Sequence, residues 1–352
     1  MLLLKRLTYI MTPTIKDVAK RARVSIATVS LVMHNHKKIS DETRVRVNKA
    51  IKDLNYHPFR SARGLVSRKT GNLAFIVTED HFLRSEPFYT YIFLGAEFEA
   101  RQNEYYILLT SIRSDFKAGD RLPRCVLERN VDGVIIAGKV PEDIIACLEK
   151  YELPMAFVDY YPPAENYPVV LIDNFSGGMQ AVQHLTSLGH RHIGFIGGDI
   201  QHPSIRDRFQ GYKVALESAN INYNSKMSVI DEAYPARENG YNAAKKLMRE
   251  NKGITAIFSC NDAMAIGVMQ YLKESGFRIP EDISVIGFDD VEAGLTLDPP
   301  LSTIKVPKTE LGGEVMRLMA DILNNKVKSS KKVLVPVELI QRKSTGTVRK
   351  YQ

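Results

Sequence analysis

From Gly71 onward the chain alternates short apolar runs with amphipathic stretches, and this alternation narrows the fold more than any other feature. LAFIVTE, YYILLTS, VDGVIIAG, PMAFVDY, VVLIDN, HIGFIGG, MSVIDEA, TAIFSCN and ISVIGFDD read as short strands buried on both faces. Between most of them lie stretches of helical period: YTYIFLGAEFEARQNE, PEDIIACLEKYE, GGMQAVQHLTSLG, RFQGYKVALESA, NGYNAAKKLMREN and DAMAIGVMQYLKESG. Strands joined through helical crossovers predict α/β structure, with parallel sheets covered by helices on both faces. Nine strands are more than one compact sheet needs, so two lobes are expected.

The segment before Gly71 has another texture. Residues 1–69 hold sixteen Lys and Arg against four Asp and Glu, a balance of +12; the other 283 residues hold 32 against 36, a balance of −4. All the excess positive charge thus sits in one small segment, which points that segment alone at nucleic acid or an acidic surface. Thr14 is placed to cap a helix through IKDVAKRA, with Ile15, Val18 and Ala19 turned inward. A short turn, Ala22-Arg23-Val24, leads to Ser25 as the next cap, and Val29, Val32 and Met33 supply the apolar face of VSIATVSLVMHN. Ser40 caps a third helix with Val47, Ile51 and Leu54 inward. Two short helices with a tight turn and a third behind them make a helix-turn-helix, although a three-helix bundle that docks protein shows the same pattern. After its cap the second helix holds no Arg, Lys, Gln or Glu, the side chains that usually read bases.

Several classes are disfavoured. Apolar content of 44% and charged content of 25% are those of an ordinary globular protein, and no run reaches the ~18 apolar residues of a membrane span. The apolar run of MLLLKRLTYI is too short, and precedes its basic residues, so it does not read as a signal peptide. Residues 1–11 read instead as a disordered extension, with Met11 as an alternative start. Cys125, Cys147 and Cys260 lie far apart and give neither a metal spacing nor a disulfide framework. The sequence shows no phosphate-binding glycine loop, no GxSxG elbow and no HExxH pair. The expectation is therefore a cytoplasmic protein with no catalytic residues, no metal and no cofactor.

TIKDVAKRARVSIATVS, LNYHP and SARGL, in that order and spacing, resemble the DNA-binding head of the lactose-repressor family of bacterial transcription regulators. HIGFIGG, SCNDAMAIGVMQ, VIGFDD and PPLSTI are similar to the same family's effector domain, so the likeness runs from Thr14 to Thr345. It implies a three-helix helix-turn-helix head at 12–58 and a hinge helix or linker at 59–70. A two-lobed α/β effector domain like the periplasmic binding proteins follows at 71–346. Lobe 1 is expected at about 71–172 and 304–334, and lobe 2 at about 173–303 and 335–346. By position in the family's motifs, Thr14, Ser25, Thr28 and Ser30 are expected to hold phosphates or cap helices, and Ile26 and Ala27 to set operator preference. Leu31 stands where many members carry a base-bonding Arg, His34 and Asn35 replace Asn-Gly, and Arg23 replaces Gly. Tyr56 and Arg63 are expected among the DNA contacts, and Leu65 as an apolar wedge in the minor groove.

Open α/β sheets bind ligands at the carboxyl ends of their strands, and with two lobes that crevice becomes the cleft between them. Asp159, Asn261, Asp262, Asp289 and Asp290 stand just past strand ends, and Arg208 lies early in a helix. Each alone is as readily a cap or turn residue, and Asp173-Asn174 reads as a cap. The resemblance implies Arg208 as the effector anchor and Asp289 as the acceptor for ligand hydroxyls or amines. It implies Asp159 and Asn261 as polar pocket positions, and Phe88, Tyr89, Tyr160 and Tyr234 as aromatic lining. Such a set suits a sugar or sugar derivative, with a purine or nucleoside as the alternative. The expected function is a repressor that binds double-stranded operator DNA as a homodimer under effector control. A plain solute-binding protein is the rival, and the basic head argues against it.

Overall fold

The computed structural model describes residues 13–33, 36, 38–56, 69–80, 87–162, 167–232, 235–326 and 331–348, and the chain divides between Thr70 and Gly71 into two units. The expected N-terminal extension, most of the hinge, and His34, Arg63, Leu65 and Tyr234 lie outside the described residues. Three helices make the first unit: α1 (Ile15–Ala22), α2 (Ile26–Met33) and α3 (Asp41–Asp53). They enclose Val18, Ala19, Ala22, Val29, Val32, Val47 and Ala50, the inward positions of the helical period.

Local hydrogen bonds fix where each of these helices begins. The Asp17 carboxylate accepts from the Thr14 backbone N–H at 2.8 Å and from its hydroxyl at 2.7 Å. The Ser25 hydroxyl accepts from the Thr28 N–H at 3.1 Å, and that of Ser40 from the Thr43 N–H at 3.4 Å. Helix α1 ends at Arg23 with φ 54°, the left-handed conformation that glycine adopts without strain, and the Val24 N–H returns to the Ala19 carbonyl at 3.1 Å.

The second unit holds two parallel sheets. One has the order β11-β5-β4-β3-β1-β2, with β1 (Asn72–Thr78), β2 (Tyr106–Ile112), β3 (Gly133–Ala137), β4 (Met155–Val158), β5 (Val169–Ile172) and β11 (Lys332–Val335). The other has the order β7-β6-β8-β9, with β6 (Ile193–Gly198), β7 (Ser228–Glu232), β8 (Ala256–Ser259) and β9 (Ser284–Ile286). An antiparallel pair, β10 (Thr303–Lys305) with β12 (Glu338–Ile340), lies where the chain passes between the sheets. Along β1, Leu73, Phe75 and Val77 enter one core cluster while Ala74 and Ile76 enter another, which is why the strand is apolar from Leu73 to Val77.

The helices of this unit are α4 (Phe88–Gln102), α5 (Arg124–Leu127), α6 (Glu142–Glu149), α7 (Asn174–Ser187), α8 (Pro203–Ser218), α9 (Arg237–Glu250), α10 (Asp262–Glu274) and α11 (Lys308–Leu323). Three pairs, α4 with α11, α7 with α8 and α9 with α10, cross so closely that each helix places a glycine against its partner's backbone. A Cβ on Gly95 would run into the Thr309 carbonyl, and one on Gly312 into that of Ile92. Gly178 and Gly211 meet the carbonyls of Arg208 and Phe175 in the same way, and Gly240 and Gly267 those of Met264 and Arg237. Backbone cannot retreat as a side-chain tip can, so these contacts demand the absence of a Cβ. Gly312→Ala should therefore destabilise this unit by roughly 2–4 kcal/mol, whereas Gly119→Ala should change it by no more than about 1 kcal/mol. Gly119 has nothing within 4 Å of such a Cβ. Urea unfolding compares the two, and equal costs would refute close helix approach as the cause.

Candidate functional site

The carboxyl ends of the two parallel sheets gather the candidate residues into two adjoining clusters. In the first, Asp159 follows β4 and is buried, and its Oδ2 accepts from the Tyr89 hydroxyl at 2.8 Å. Phe88 and Tyr89 form the first turn of α4, with ring centroids 5.2 Å apart. Tyr160 is buried with its ring 5.6 Å from that of His202, and burial pushes its phenol up from the ordinary tyrosine range.

The second cluster surrounds Arg208 on α8, which is 6% exposed. A buried guanidinium must satisfy its donors within the protein. Its Nε donates to Asn174 Oδ1 at 2.8 Å and its Nη1 to the Cys260 carbonyl at 2.6 Å. The plane lies 3.7 Å from the centre of the Phe288 ring, and Nη1 is 3.5 Å from Asp289 Oδ1. Ser204, one turn before Arg208, donates to the Asp159 carbonyl at 3.4 Å and so joins the two clusters. An open groove of about 850 Å³ adjoins them, lined by Phe88, Tyr91, Asp290, Glu292, Lys305 and Lys308 among others. Together these groups offer a fixed cationic fork, carboxylate acceptors and aromatic faces. Among the described residues no three His, Cys, Asp or Glu side chains gather as metal ligands would.

Two expectations from the sequence change places here. Asn261 caps α10, accepting from the Met264 N–H at 2.9 Å and donating to the Pro235 carbonyl at 2.9 Å, so its amide is committed to structure. Asn174, read as part of a cap, is instead the acceptor for Arg208. Asp173 alone caps α7, through the Ser176 N–H at 2.9 Å, and the spare polar residue beside it was the available signal. Lys308 was missed altogether, although a lysine in a helix's first turn opposes the macrodipole and calls for a partner.

Asp262 is fully buried behind Asp289. It accepts from the Thr303 hydroxyl at 2.7 Å and from the Val291 N–H at 2.9 Å. Burial, and after it the charge of Asp289, push its carboxyl up to about 8. Burial likewise raises the Cys260 thiol to about 11.

In the head, Ile26 and Leu31 are 44% and 38% exposed, Ser25 and Ala27 are exposed beside Ile26, and Thr14 is exposed at the start of α1. Thr28 and Ser30 are half-buried, and the Thr28 hydroxyl lies 2.9 Å from that of Ser25. Tyr56, expected among the DNA contacts, is instead 7% exposed and belongs to the head's core, a packing position.

Residues 14–58 match the model of bacterial regulatory proteins of the lacI family, and residues 182–345 that of the periplasmic binding protein-like domain. The HTH-type transcriptional repressor PurR of Haemophilus influenzae is 33% identical over 340 residues, covering 95% of this chain and 99% of its own. The chain belongs to the lacI family of bacterial regulatory proteins. The ribose operon repressor of Haemophilus influenzae is 31% identical over 339 residues, covering 96% of this chain and 99% of the relative. Among solved structures, the lac repressor dimer bound to operator and the anti-inducer ONPF has a TM-score of 0.75 at 27% identity, covering 95% of this chain and 99% of that one. The CelR–cellobiose complex has a TM-score of 0.71 at 29% identity over 94% and 99% of the two chains. This lacI-family chain is thus a DNA-binding transcription regulator and not an enzyme.

The buried acid and two buried histidines should give the protein's stability a two-sided pH dependence. The folded pKa of Asp262 is raised from 3.8 to about 8, so the stability it contributes is full below 3.8 and is lost progressively as pH rises to about 8, on the alkaline side of the profile. His184 and His190 are buried against the C-terminal segment, where Nε2 of His184 lies 2.9 Å from the Thr345 hydroxyl and Nε2 of His190 is 2.9 Å from the Gly346 carbonyl. Burial lowers both below 6.5, so their part is lost as pH falls through that value. Asp262→Asn should remove the alkaline loss and keep the acid one. Urea unfolding from about pH 5 to about pH 9 checks this, and an unchanged alkaline loss would exclude Asp262 as its source.

Proposed function

We propose that this lacI-family regulator is a repressor that binds double-stranded operator DNA in the cytoplasm as a homodimer. A sugar or sugar derivative, held between Arg208 with Asp289 and Tyr89 with Asp159, controls its affinity. The observation that carries the reading is the meeting of a buried guanidinium, two carboxylates and aromatic rings at the carboxyl ends of two parallel sheets. Adjacent hydroxyls take paired hydrogen bonds from such groups, and the CH face of a sugar ring stacks on Phe88, Tyr89 or Tyr160. A solved CelR structure is described as a cellobiose complex, and a lacI-family regulator from Enterococcus faecium as carrying bound ribose. Both support a saccharide, with a purine or nucleoside as the alternative reading.

In this reading the head is 12–58, the hinge 59–70 and the effector domain 71–346. Arg63 and His34 contact DNA, and Leu65 wedges the minor groove. Tyr234 adds a ring to the pocket. Two subunits are needed because one short recognition helix reads only a few base pairs. The dimer also accounts for Tyr91, Leu94 and Phe98, which stand at i, i+3 and i+7 on α4 and are exposed by 42%, 36% and 51%.

Ile26, Ala27 and Leu31 present methyl groups rather than donors, so thymine methyls are their natural contacts, while Thr14, Ser25, Thr28 and Ser30 hold phosphates. Selection from random DNA should return half-sites weighted towards T·A pairs, and a strict guanine opposite residue 31 would contradict this. Asp289→Ala should abolish the thermal shift produced by whichever saccharide or nucleoside of a screening panel stabilises the wild type, lowering its affinity at least about tenfold. The ligand-free variant should keep wild-type affinity for the selected operator. A ligand shift that survives the substitution would move the pocket elsewhere.

A further inference from the structure

Lys308 opens α11, where the macrodipole and the unpaired N–H groups of the first turn disfavour an ammonium. The side chain is nonetheless half-buried. Its Nζ donates to the backbone carbonyls of Asp289 and Asp290, the latter at 3.3 Å, and stands 5.7 Å from the centre of the Phe88 ring. These acceptors are unusual in turn. Asp289 and Asp290 are consecutive non-glycine residues at φ 112° and φ 54°, a conformation that persists only where the surroundings impose it.

The rest of the segment is held as well. The Asp289 N–H donates to the Ile304 carbonyl at 2.8 Å, the Asp290 N–H to the Thr303 hydroxyl at 3.4 Å, and the Val291 N–H to Asp262 at 2.9 Å. The Asp290 carboxylate meets Arg342 Nη2 at 2.5 Å. Lys308 differs from these partners in its origin. Helix α11 lies against α4 and against β3, β4 and β5 of the six-stranded sheet, whereas Asp289 and Asp290 follow β9 of the four-stranded one. Its ammonium therefore ties a layer built on one sheet to the strand end of the other.

We propose that Lys308 is the positioning residue for Asp289. By holding two strained carbonyls it sets the Asp289 carboxylate against Arg208, and ligand capture thereby depends on how the two sheets stand to each other. This rests on Arg208 and Asp289 being the ligand site, yet it is testable without a ligand. A double-mutant cycle with Arg208→Gln and Asp289→Asn, read from urea unfolding of the full chain, measures the coupling of the two side chains. With Lys308 present, the unfolding constant of the double variant should depart from additivity by about fivefold or more. In a Lys308→Met background, which keeps the apolar stem beside Phe88, the departure should fall below about twofold, and Lys308→Arg should restore it. Lys308→Gln, which keeps an amide NH2 donor but not the charge, replaces the Met variant if that one does not fold, and should weaken the coupling. Coupling equal to wild type in the Met or Gln background overturns the proposal. Failure of the ligand reading would show separately, as a ligand-induced thermal shift that survives Asp289→Asn.

Discussion

The site depends on two adjacent residues without side chains. Gly177 and Gly178 lie in the first turns of α7, and each makes room for one half of the stack at the centre of the site. A Cβ on Gly177 would come within 2.7 Å of the Phe288 ring, and one on Gly178 would meet the carbonyl of Arg208 itself. Close approach of α7 to α8 thus sets the height of the Arg208 backbone, and the Phe288 ring beneath it sets the plane of the guanidinium, 3.7 Å away. Helix packing normally tolerates shifts of side-chain size. Backbone against backbone does not, so the Arg208 fork is fixed by the fold rather than by its own flexible stem.

Electrostatics then limit what may surround that fork. Arg208 is buried, and Asp289 at 3.5 Å supplies its counter-charge. Asp262 lies fully buried nearby with two donors on its carboxyl, yet burial and the Asp289 charge favour its protonated form. Two ionised carboxylates against one desolvated guanidinium would leave an uncompensated buried charge, which costs several kcal/mol. Holding Asp262 largely neutral lets it fasten Val291, in the segment after β9, and Thr303, at the start of β10, without adding a second charge beside Arg208. Gly287 belongs to the same arrangement, since a Cβ at that position would run into the Asp262 carboxyl.

Much of the fold was legible because its signals are periodic. All nine apolar runs are strands, and all six amphipathic stretches are helices, since burial on both faces leaves few other choices. The segments that escaped notice carry weaker patterns. β11 alternates with exposed Lys332 and half-exposed Leu334 at a sheet edge, and α11 is interrupted by the adjacent glycines Gly312 and Gly313. The convergence of Arg208 and Asp289 was legible from their places past strand ends, but the hydrogen bonds of Asn174 and Asn261 were not. Both are asparagines at a helix start, and only the neighbouring Asp173 decides which amide is spare. Tyr56 shows the same limit in the head, where nothing local separates a buried ring from one presented to a duplex.

The division of charge constrains how a ligand signal reaches DNA. The +12 of residues 1–69 supplies the phosphate attraction, while the remainder, at −4, offers none of its own. In the proposed reading, ligand binding beside Arg208 would therefore not act by changing net attraction to the duplex. It would act instead through geometry, by altering how the heads of the proposed dimer are presented to their half-sites. The exposed face of α2 would make that route effective. The methyl contacts proposed for Ile26 and Leu31 would be short-ranged and lose most of their energy within about an ångström of displacement, whereas phosphate attraction decays over the Debye length of about 8 Å. A small displacement of the heads would then cost specific contacts first and leave non-specific binding largely intact. Release from the operator, on this argument, need not mean release from DNA.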